Sequence, residues 1–206
     1  MPARSFYPAY FKSAALIGIA LFALLCLLLL SLPDHWQQTL NYQINPVRQG
    51  QLWRLLTANL LHTNLWHLLL NLAGLSLLLL LHQQHFQSRL YLLWLLVAGV
   101  LTNALLLLLF PELDLLVGLS GALHAMVVLG ALADICQKDK TGWLLVALVL
   151  AKVSYEQLFG PDPELSQLIA AQVAVDAHLA GVFAGALLFP VWWLRKKGRS
   201  NDLPSS

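Results

Sequence analysis

The sequence contains very little charge. Only 11% of its 206 residues are Asp, Glu, Lys or Arg, whereas 59% are hydrophobic, and the mean hydropathy is +0.70. Soluble domains are roughly 25% charged, so an ordinary soluble domain is excluded. The net charge of +2 is also too small to indicate a nucleic-acid-binding protein.

Cysteine is also scarce, and the chain has none of the usual metal motifs. Cys26 and Cys136 lie in apolar runs, too few for a disulfide framework or a metal cluster. Imidazole is a common zinc ligand, but neither an HExxH motif nor Cys-rich spacing accompanies the histidines. We therefore expect no metal and no cofactor. A zinc site is the less favoured alternative, and its ligands would be His62, His67, His124 and His178.

Long apolar runs dominate what is present. A bilayer core about 30 Å thick needs about 20 apolar residues for each helical crossing. Such runs lie between polar or proline-containing breaks, and together they predict an all-α integral membrane protein with six transmembrane helices in a single domain, 1–206. The segment 33–64 is long for a linker and predicts a structured outer loop. The predicted helices are 13–32, 65–81, 90–110, 115–136, 142–159 and 173–194.

Positive charge is distributed unevenly between the two sides. With the N-terminus in the cytoplasm, nine of the 12 Lys and Arg residues lie in cytoplasmic segments and two lie outside. This is the bias of the positive-inside rule, so both termini are expected in the cytoplasm. The first run follows Arg4 and Lys12 but precedes no small-residue cleavage site, which indicates a retained helix rather than a signal peptide.

Polar side chains within the runs are few and costly in a membrane unless they find partners. His67 and Asn71 in the second run, and Ser120 and His124 in the fourth, are each spaced to share one helix face. His178 lies in the sixth run. Each of these residues is therefore a candidate for a functional site.

Three of these residues lie at a similar predicted depth. Ser120 and His178 are each about 24 Å above the inner end of their helix, and His67 is at about 22 Å. Gly121 and Gly181 are small enough for the fourth and sixth helices to approach closely. A hydroxyl and an imidazole at one depth predict a serine nucleophile with a histidine general base.

Further donors and alternative interpretations surround this pair. Ser120 begins a helix, so backbone N–H groups of the first turn could stabilise an oxyanion, with His67 and Asn71 as additional donors. His124 could itself be the base, although we expect it to pack against the site or to tune it. A serine beside glycine is also typical of a tight helix contact, and His178 could simply bond a carbonyl.

The carboxylates near these helices are interpreted as structural. Lys152 and Glu156 are spaced for an ion pair on one helix face, which we favour over a proton relay. Asp176 is two residues from His178, about 200° around a helix, and is expected to face away from it.

Four short motifs together resemble the rhomboid family of intramembrane serine proteases. They occur in the family's order and cover about residues 45 to 190. A single GxSG would be weak evidence, whereas four ordered motifs are specific. The motifs are the WR segment in Gln51–Arg54, HxxxN in His67–Asn71, GxSG in Gly118–Gly121 and AHxxG in Ala177–Gly181.

The resemblance implies roles for particular residues. Ser120 and His178 would form a catalytic dyad that requires no acid, and His67, Asn71 and the Ser120 N–H would stabilise the oxyanion. His124 stands where many rhomboids have a tyrosine beside the catalytic histidine, so the stacking partner differs here. Trp53 and Arg54 would buttress an L-shaped outer loop. The supporting positions are His62, Gly118, Gly121, His124, Gly181, Trp53 and Arg54.

The stretch from Gly118 to His124 looks most like the rhombosortase branch of the family, whose substrates carry a C-terminal Gly-Gly motif, one membrane helix and a basic tail. The resemblance implies single-pass membrane proteins as substrates, entering beside the fifth helix, and membrane lipid as the surroundings. It implies a bacterial inner membrane, with the site open to the periplasm. The oligomeric state is left open. Alternatives are a catalytically silent membrane-protein binder and a small transporter that relays protons.

Overall fold

The computed structural model describes residues 9–86 and 88–201, with side chains for 16–86 and 90–198. Arg4 and the side chain of Lys12 lie outside the described residues. The strands are β1 (Tyr42–Gln43) and β2 (Leu115–Leu116), and a short 3-10 helix covers Ala58–Leu60. The helices are α1 (Ala9–Leu30), α2 (Asp34–Leu40), α3 (Ile44–Arg48), α4 (Arg54–Thr57), α5 (Leu65–His82), α6 (Ser88–Leu109), α7 (Ser120–Cys136), α8 (Thr141–Phe159), α9 (Pro163–Leu168) and α10 (Val175–Asn201).

Several of these helices have the length and composition to cross a membrane. Four meet both requirements, and two shorter apolar helices correspond to the first and fourth predicted runs. The prediction of a mostly helical membrane protein is confirmed, whereas six crossings with cytoplasmic termini stay a prediction. The four long segments are Leu65–His82, Leu90–Leu109, Thr141–Phe159 and Val175–Gly198, and the shorter ones are Leu16–Leu30 and Ser120–Cys136.

The fourth apolar run does not form a helix along its whole length. Residues 115–136 were expected to be helical, but β2 pairs antiparallel with β1, placing Leu116 opposite Tyr42. After β2 the chain turns at Gly118, whose φ of +114° is a conformation that glycine tolerates best. Helix α7 therefore begins at Ser120, and the serine hydroxyl projects from the first residue of the helix.

Arg54 joins separate parts of the outer segment, the stretch between α1 and α5, through hydrogen bonds. The residue is only 6% exposed. Its Nη1 donates to the carbonyl oxygens of Gln38 and Asn41 at 2.8 and 2.7 Å, and its Nε donates to Gln51 Oε1 at 2.8 Å. A guanidinium with five N–H donors can join several backbone segments in this way. Trp53, by contrast, is 52% exposed, so Arg54 is the buried member of the pair.

Helix α7 lies in the middle of the bundle and packs against α5, α6, α8 and α10. Most of its residues are buried, and small residues bring its neighbours close. A Cβ added at Gly130 would overlap the ring of His82 on α5. A Cβ added at Gly142 of α8 would overlap the carbonyl oxygen of Ala131. Because α7 is central, side chains from several neighbouring helices can lie close to its first residue, Ser120.

The contact between α7 and α10 is closer still, because their backbones touch. A Cβ on Gly181 would overlap the carbonyl oxygen of Gly121, and one on Gly121 would lie 2.9 Å from the carbonyl oxygen of Ala177. Farther along, a Cβ on Gly185 would overlap the carbonyl oxygen of Ala125. Stripes of small residues allow this kind of approach between membrane helices.

Substituting Gly181 with Ala should therefore loosen the bundle. The added methyl has no room against Gly121, and overpacking of this kind costs about 1–3 kcal/mol. We expect a lower thermal midpoint for Gly181→Ala in detergent. The matched control is Gly198→Ala in the same helix, where an added Cβ has no atom of the described residues within 4 Å. Equal midpoints for the two variants would contradict the backbone contact.

Candidate active site

Ser120 and His178, which are 58 residues apart in sequence, are joined by a hydrogen bond. Ser120 Oγ lies 3.0 Å from His178 Nε2. Ser120 begins α7 and His178 lies in the first turn of α10, so the glycine contact between the two helices brings the side chains together. His178 is 4% exposed, whereas Ser120 is partly exposed.

The proton arrangement of His178 follows from its other ring nitrogen. Nδ1 lies 2.8 Å from Oε2 of Glu156 on α8. An ionised carboxylate can only accept a hydrogen bond, so Nδ1 is the nitrogen that carries the hydrogen. In the neutral ring, Nε2 then has a free lone pair directed at the Ser120 hydroxyl. This is the tautomer that a general base needs.

Glu156 has a second partner on its own helix. Its Oε1 lies 2.6 Å from Lys152 Nζ, which confirms the predicted ion pair. The contact with His178 was not predicted. One carboxylate oxygen contacts Lys152 on the same helix, while the other contacts His178 on α10. Asp176 was expected to face away from His178, and its Oδ1 accepts from Gln157 Nε2 at 3.4 Å.

His124 stacks on the ring of His178. The ring centroids are 4.1 Å apart, with an interplanar angle of 19°. His124 Nδ1 lies 2.8 Å from the carbonyl oxygen of Ser120, which can only accept, so Nδ1–H is the donor. His124 thus contacts the backbone of Ser120, while His178 contacts its hydroxyl. This geometry favours packing over a role as the base.

Two polar side chains lie near Gly118, just before the serine in sequence. A Cβ at Gly118 would lie 2.6 Å from His67 Nε2 and 3.7 Å from Asn71 Nδ2. His67 Nδ1 lies 3.4 Å from the N–H of Thr63 and 3.0 Å from Thr63 Oγ1, so Nε2 is the ring nitrogen left facing Gly118. Asn71 Nδ2 is buried and has no hydrogen-bond partner among the described residues. His67 Nε2 and Asn71 Nδ2 therefore both face the backbone just before Ser120.

His62 lies behind His67 in the outer segment. It is 1% exposed, and the two rings meet edge to face with centroids 5.0 Å apart. Burial, with a smaller contribution from the neighbouring His67, lowers the pKa of His62 from 6.5 to about 3. His62 is therefore neutral near pH 7 and supports His67 by packing.

Among the residues that the structure describes, one group has the spacing to hold a metal ion. The group consists of His124, Glu156 and His178, with ligand atoms within 4.8 Å of one another. It does not include His62 or His67 from the zinc set considered above. The two rings are stacked nearly parallel, whereas metal ligands direct their lone pairs at one point. The arrangement is better suited to hydrogen bonding than to coordination.

An apolar cleft of about 390 Å³ lies between α5, α7 and α8 and reaches the site at His124 and Lys152. Helix α8 borders this cleft. Only 17% of its apolar segment is buried, compared with 39% for α5. Among the four long apolar segments, the one in α8 is therefore the least covered by its neighbours. The remaining lining residues are Gly74, Leu77, Leu78, Leu123, Val127, Leu145, Leu148 and Val149.

An apolar helical bundle in which a serine is hydrogen-bonded to a buried histidine is typical of intramembrane proteases. Residues 49–195 match the family model described as Rhomboid domain. The chain therefore belongs to the rhomboid family, whose members are generally intramembrane serine proteases that act on transmembrane substrates. A comparison with curated proteins gives no match.

Replacing His62 with Gln should make the protein less sensitive to acid. The pKa of His62 is about 3 in the folded protein, against 6.5 as its ordinary value, so the unfolded chain takes up the proton first as pH falls. Stability present above pH 6.5 is therefore lost progressively below it. Between pH 7 and pH 4, the thermal midpoint should fall more steeply for the wild type than for His62→Gln.

The control for this measurement is His35→Gln. His35 is an exposed histidine in the same outer segment, and its replacement should leave the wild-type slope unchanged. If all three proteins lost stability equally, His62 would not be the buried neutral group described here.

Proposed function

We propose that the protein is an intramembrane serine endopeptidase in which Ser120 is the nucleophile and His178 is the general base. The observation that supports this most directly is the 3.0 Å contact between Ser120 Oγ and His178 Nε2. The Glu156 contact at Nδ1 leaves Nε2 free to accept the serine proton.

The reaction follows from this geometry in two steps. Ser120 Oγ attacks the scissile carbonyl carbon while its proton moves to His178 Nε2, and the imidazolium then protonates the leaving amine. The acyl ester on Ser120 is attacked by water, with His178 again accepting and returning a proton. The second step regenerates the free serine.

The charge that develops on the carbonyl oxygen needs donors. The first-turn position of Ser120 leaves its backbone N–H without an intrahelical partner, and His67 and Asn71 offer two side-chain donors nearby. A buried amide donor without a partner costs about 1–3 kcal/mol. The unpartnered Asn71 Nδ2 is thus suited to an oxyanion that exists only during the reaction.

The substrates that suit this site are single-pass membrane proteins. The apolar cleft and the exposed face of α8 offer lateral entry for a substrate helix. A peptide bond is exposed only where that helix unwinds, so glycine or other helix-weakening residues near the scissile bond are favoured. Cleavage then takes place near the outer end of the substrate helix.

The finer assignment is a rhombosortase-like protease in a bacterial inner membrane. In this assignment six helices cross the membrane, both termini are cytoplasmic and the site opens to the periplasm. The charge bias and the stretch from Gly118 to His124 support it. The substrates would carry a Gly-Gly motif, one membrane helix and a basic tail at their C-terminus.

Labelling with a fluorophosphonate tests the dyad without a known substrate. Purified wild-type protein in mild detergent should become labelled at Ser120, because His178 activates the hydroxyl. Ser120→Ala and His178→Ala should remain unlabelled, whereas Ser76→Ala, a serine on α5 that bonds the Leu72 carbonyl, should react like the wild type. A folded wild type that stays unlabelled in detergent and in lipid would favour a catalytically silent membrane-protein binder.

Substituting Asn71 with Leu should separate catalysis from stability. Loss of one oxyanion donor lowers kcat by about 100- to 1,000-fold in comparable sites. Because Asn71 Nδ2 has no partner among the described residues, its removal should not lower the thermal midpoint. Cleavage of a synthetic membrane-helix peptide and thermal unfolding measure the two effects. Unchanged kcat, or a clear loss of stability, would remove Asn71 from the oxyanion site.

A further inference from the structure

Glu156 connects helix α8 to His178, the proposed general base. One carboxylate oxygen lies 2.8 Å from His178 Nδ1 and the other lies 2.6 Å from Lys152 Nζ. The side chains of Glu156 and His178 are only 12% and 5% exposed, so the contact is shielded from water. A charge-assisted hydrogen bond in such surroundings is stronger than one on an open surface.

This contact has two chemical consequences for His178. It fixes the hydrogen on Nδ1, which leaves Nε2 as the acceptor for the Ser120 proton. It also places a negative charge beside the ring when that proton arrives and the ring becomes an imidazolium. A buried carboxylate performs both tasks in the Ser-His-Asp triad of serine proteases.

Lys152 holds the carboxylate in this position. It is one helical turn from Glu156 on α8, and its side chain is 50% exposed, so the ammonium keeps contact with the surroundings. Lys152 Nζ is also 3.5 Å from His178 Nδ1, but the carboxylate lies closer to the ring. Within the part of the chain that the structure describes, the charged groups that contact His178 are thus one carboxylate and one ammonium, and His124 stacks on the ring face.

A purely structural tie between α8 and α10 explains the contact less well. Buried ion pairs are weak contributors to stability, because desolvation offsets much of their attraction. The carboxylate meets His178 at the nitrogen that determines the tautomer of the base, rather than at an arbitrary point of α10.

We propose that Glu156 is a positioning residue that completes a Ser120–His178–Glu156 triad. The resemblance to rhomboids implied a dyad without an acid, so this chain adds a third member from α8. The inference rests on the proposed function. During attack, the serine proton moves to Nε2 while the Nδ1–H remains bonded to Glu156, and the proton on Nε2 then leaves with the amine.

Saturation kinetics of fluorophosphonate labelling test the triad on the full chain. For Glu156→Gln, we expect the maximal labelling rate to fall at least tenfold, with the half-saturating concentration within twofold of the wild type and the thermal midpoint preserved. Glu156→Asp keeps the carboxylate and should react at a rate between those of Glu156→Gln and the wild type. The matched control is Asp176→Asn, the nearby acid that contacts Gln157, which should react like the wild type.

Several results would overturn the proposal. Glu156→Gln could label at the wild-type rate, it could differ from the wild type only in half-saturating concentration, or Asp176→Asn could lose as much activity. Glu156→Asp reacting no faster than Glu156→Gln would also count against the carboxylate. Stoichiometric zinc in the active wild type that is lost in Glu156→Gln would assign the same side chains to a metal.

One measurement does not depend on the Glu156 variants being folded. Nitrogen-15 NMR of wild-type protein with labelled histidine, with the His178 signal identified by its absence from His178→Ala, should report a ring protonated at Nδ1. Protonation at Nε2 would overturn the triad even with an active enzyme. A wild type that labels no faster than Ser120→Ala would instead refute the proposed function, and the triad with it.

Discussion

The site depends on one constraint, the contact of the α7 and α10 backbones at glycine. Helices that carry ordinary side chains at their interface pack with axes about 8–10 Å apart. Here the carbonyl oxygen of Gly121 occupies the space where a side chain on Gly181 would begin. The closer approach allows a short serine side chain on one helix to reach an imidazole on the other. Because this contact is between backbone atoms, a change of side-chain rotamer cannot relieve it. It therefore sets the separation of α7 and α10 at the site.

The three histidines nearest the serine are each oriented by a different neighbour. His178 donates to the carboxylate of Glu156, His124 donates to the carbonyl of Ser120, and His67 accepts from a backbone N–H. One imidazole is therefore left as an acceptor at the serine hydroxyl, and the Nε2 of another lies beside Gly118. In a site with little water, such fixed dipoles need no reorganisation when charge develops. The same residue type thus takes opposite roles within one small site.

Much of this arrangement could be predicted from the sequence. Apolar runs predicted a helical membrane protein, and matched depth together with ordered motifs predicted that Ser120 and His178 would lie together. The start of α7 was predicted wrongly, since Leu115 and Leu116 are equally suited to a helix or a short strand and their pairing is with a distant segment. The contact of Glu156 could not be predicted, because the rotation of α8 against α10 has no signal in either helix. The spacing of Glu156 from Lys152 already accounted for both charged side chains as an ion pair, so neither residue required a further partner.

The most direct test of the account is an experimental structure of the protein after reaction with a fluorophosphonate. The adduct should be on Ser120 Oγ, with a phosphonyl oxygen within hydrogen-bond distance of Asn71 Nδ2 and the Ser120 N–H. His178 Nδ1 should still bond Glu156. An adduct on another residue, or a phosphonyl oxygen directed away from Asn71, would contradict the geometry from which the protease function is inferred.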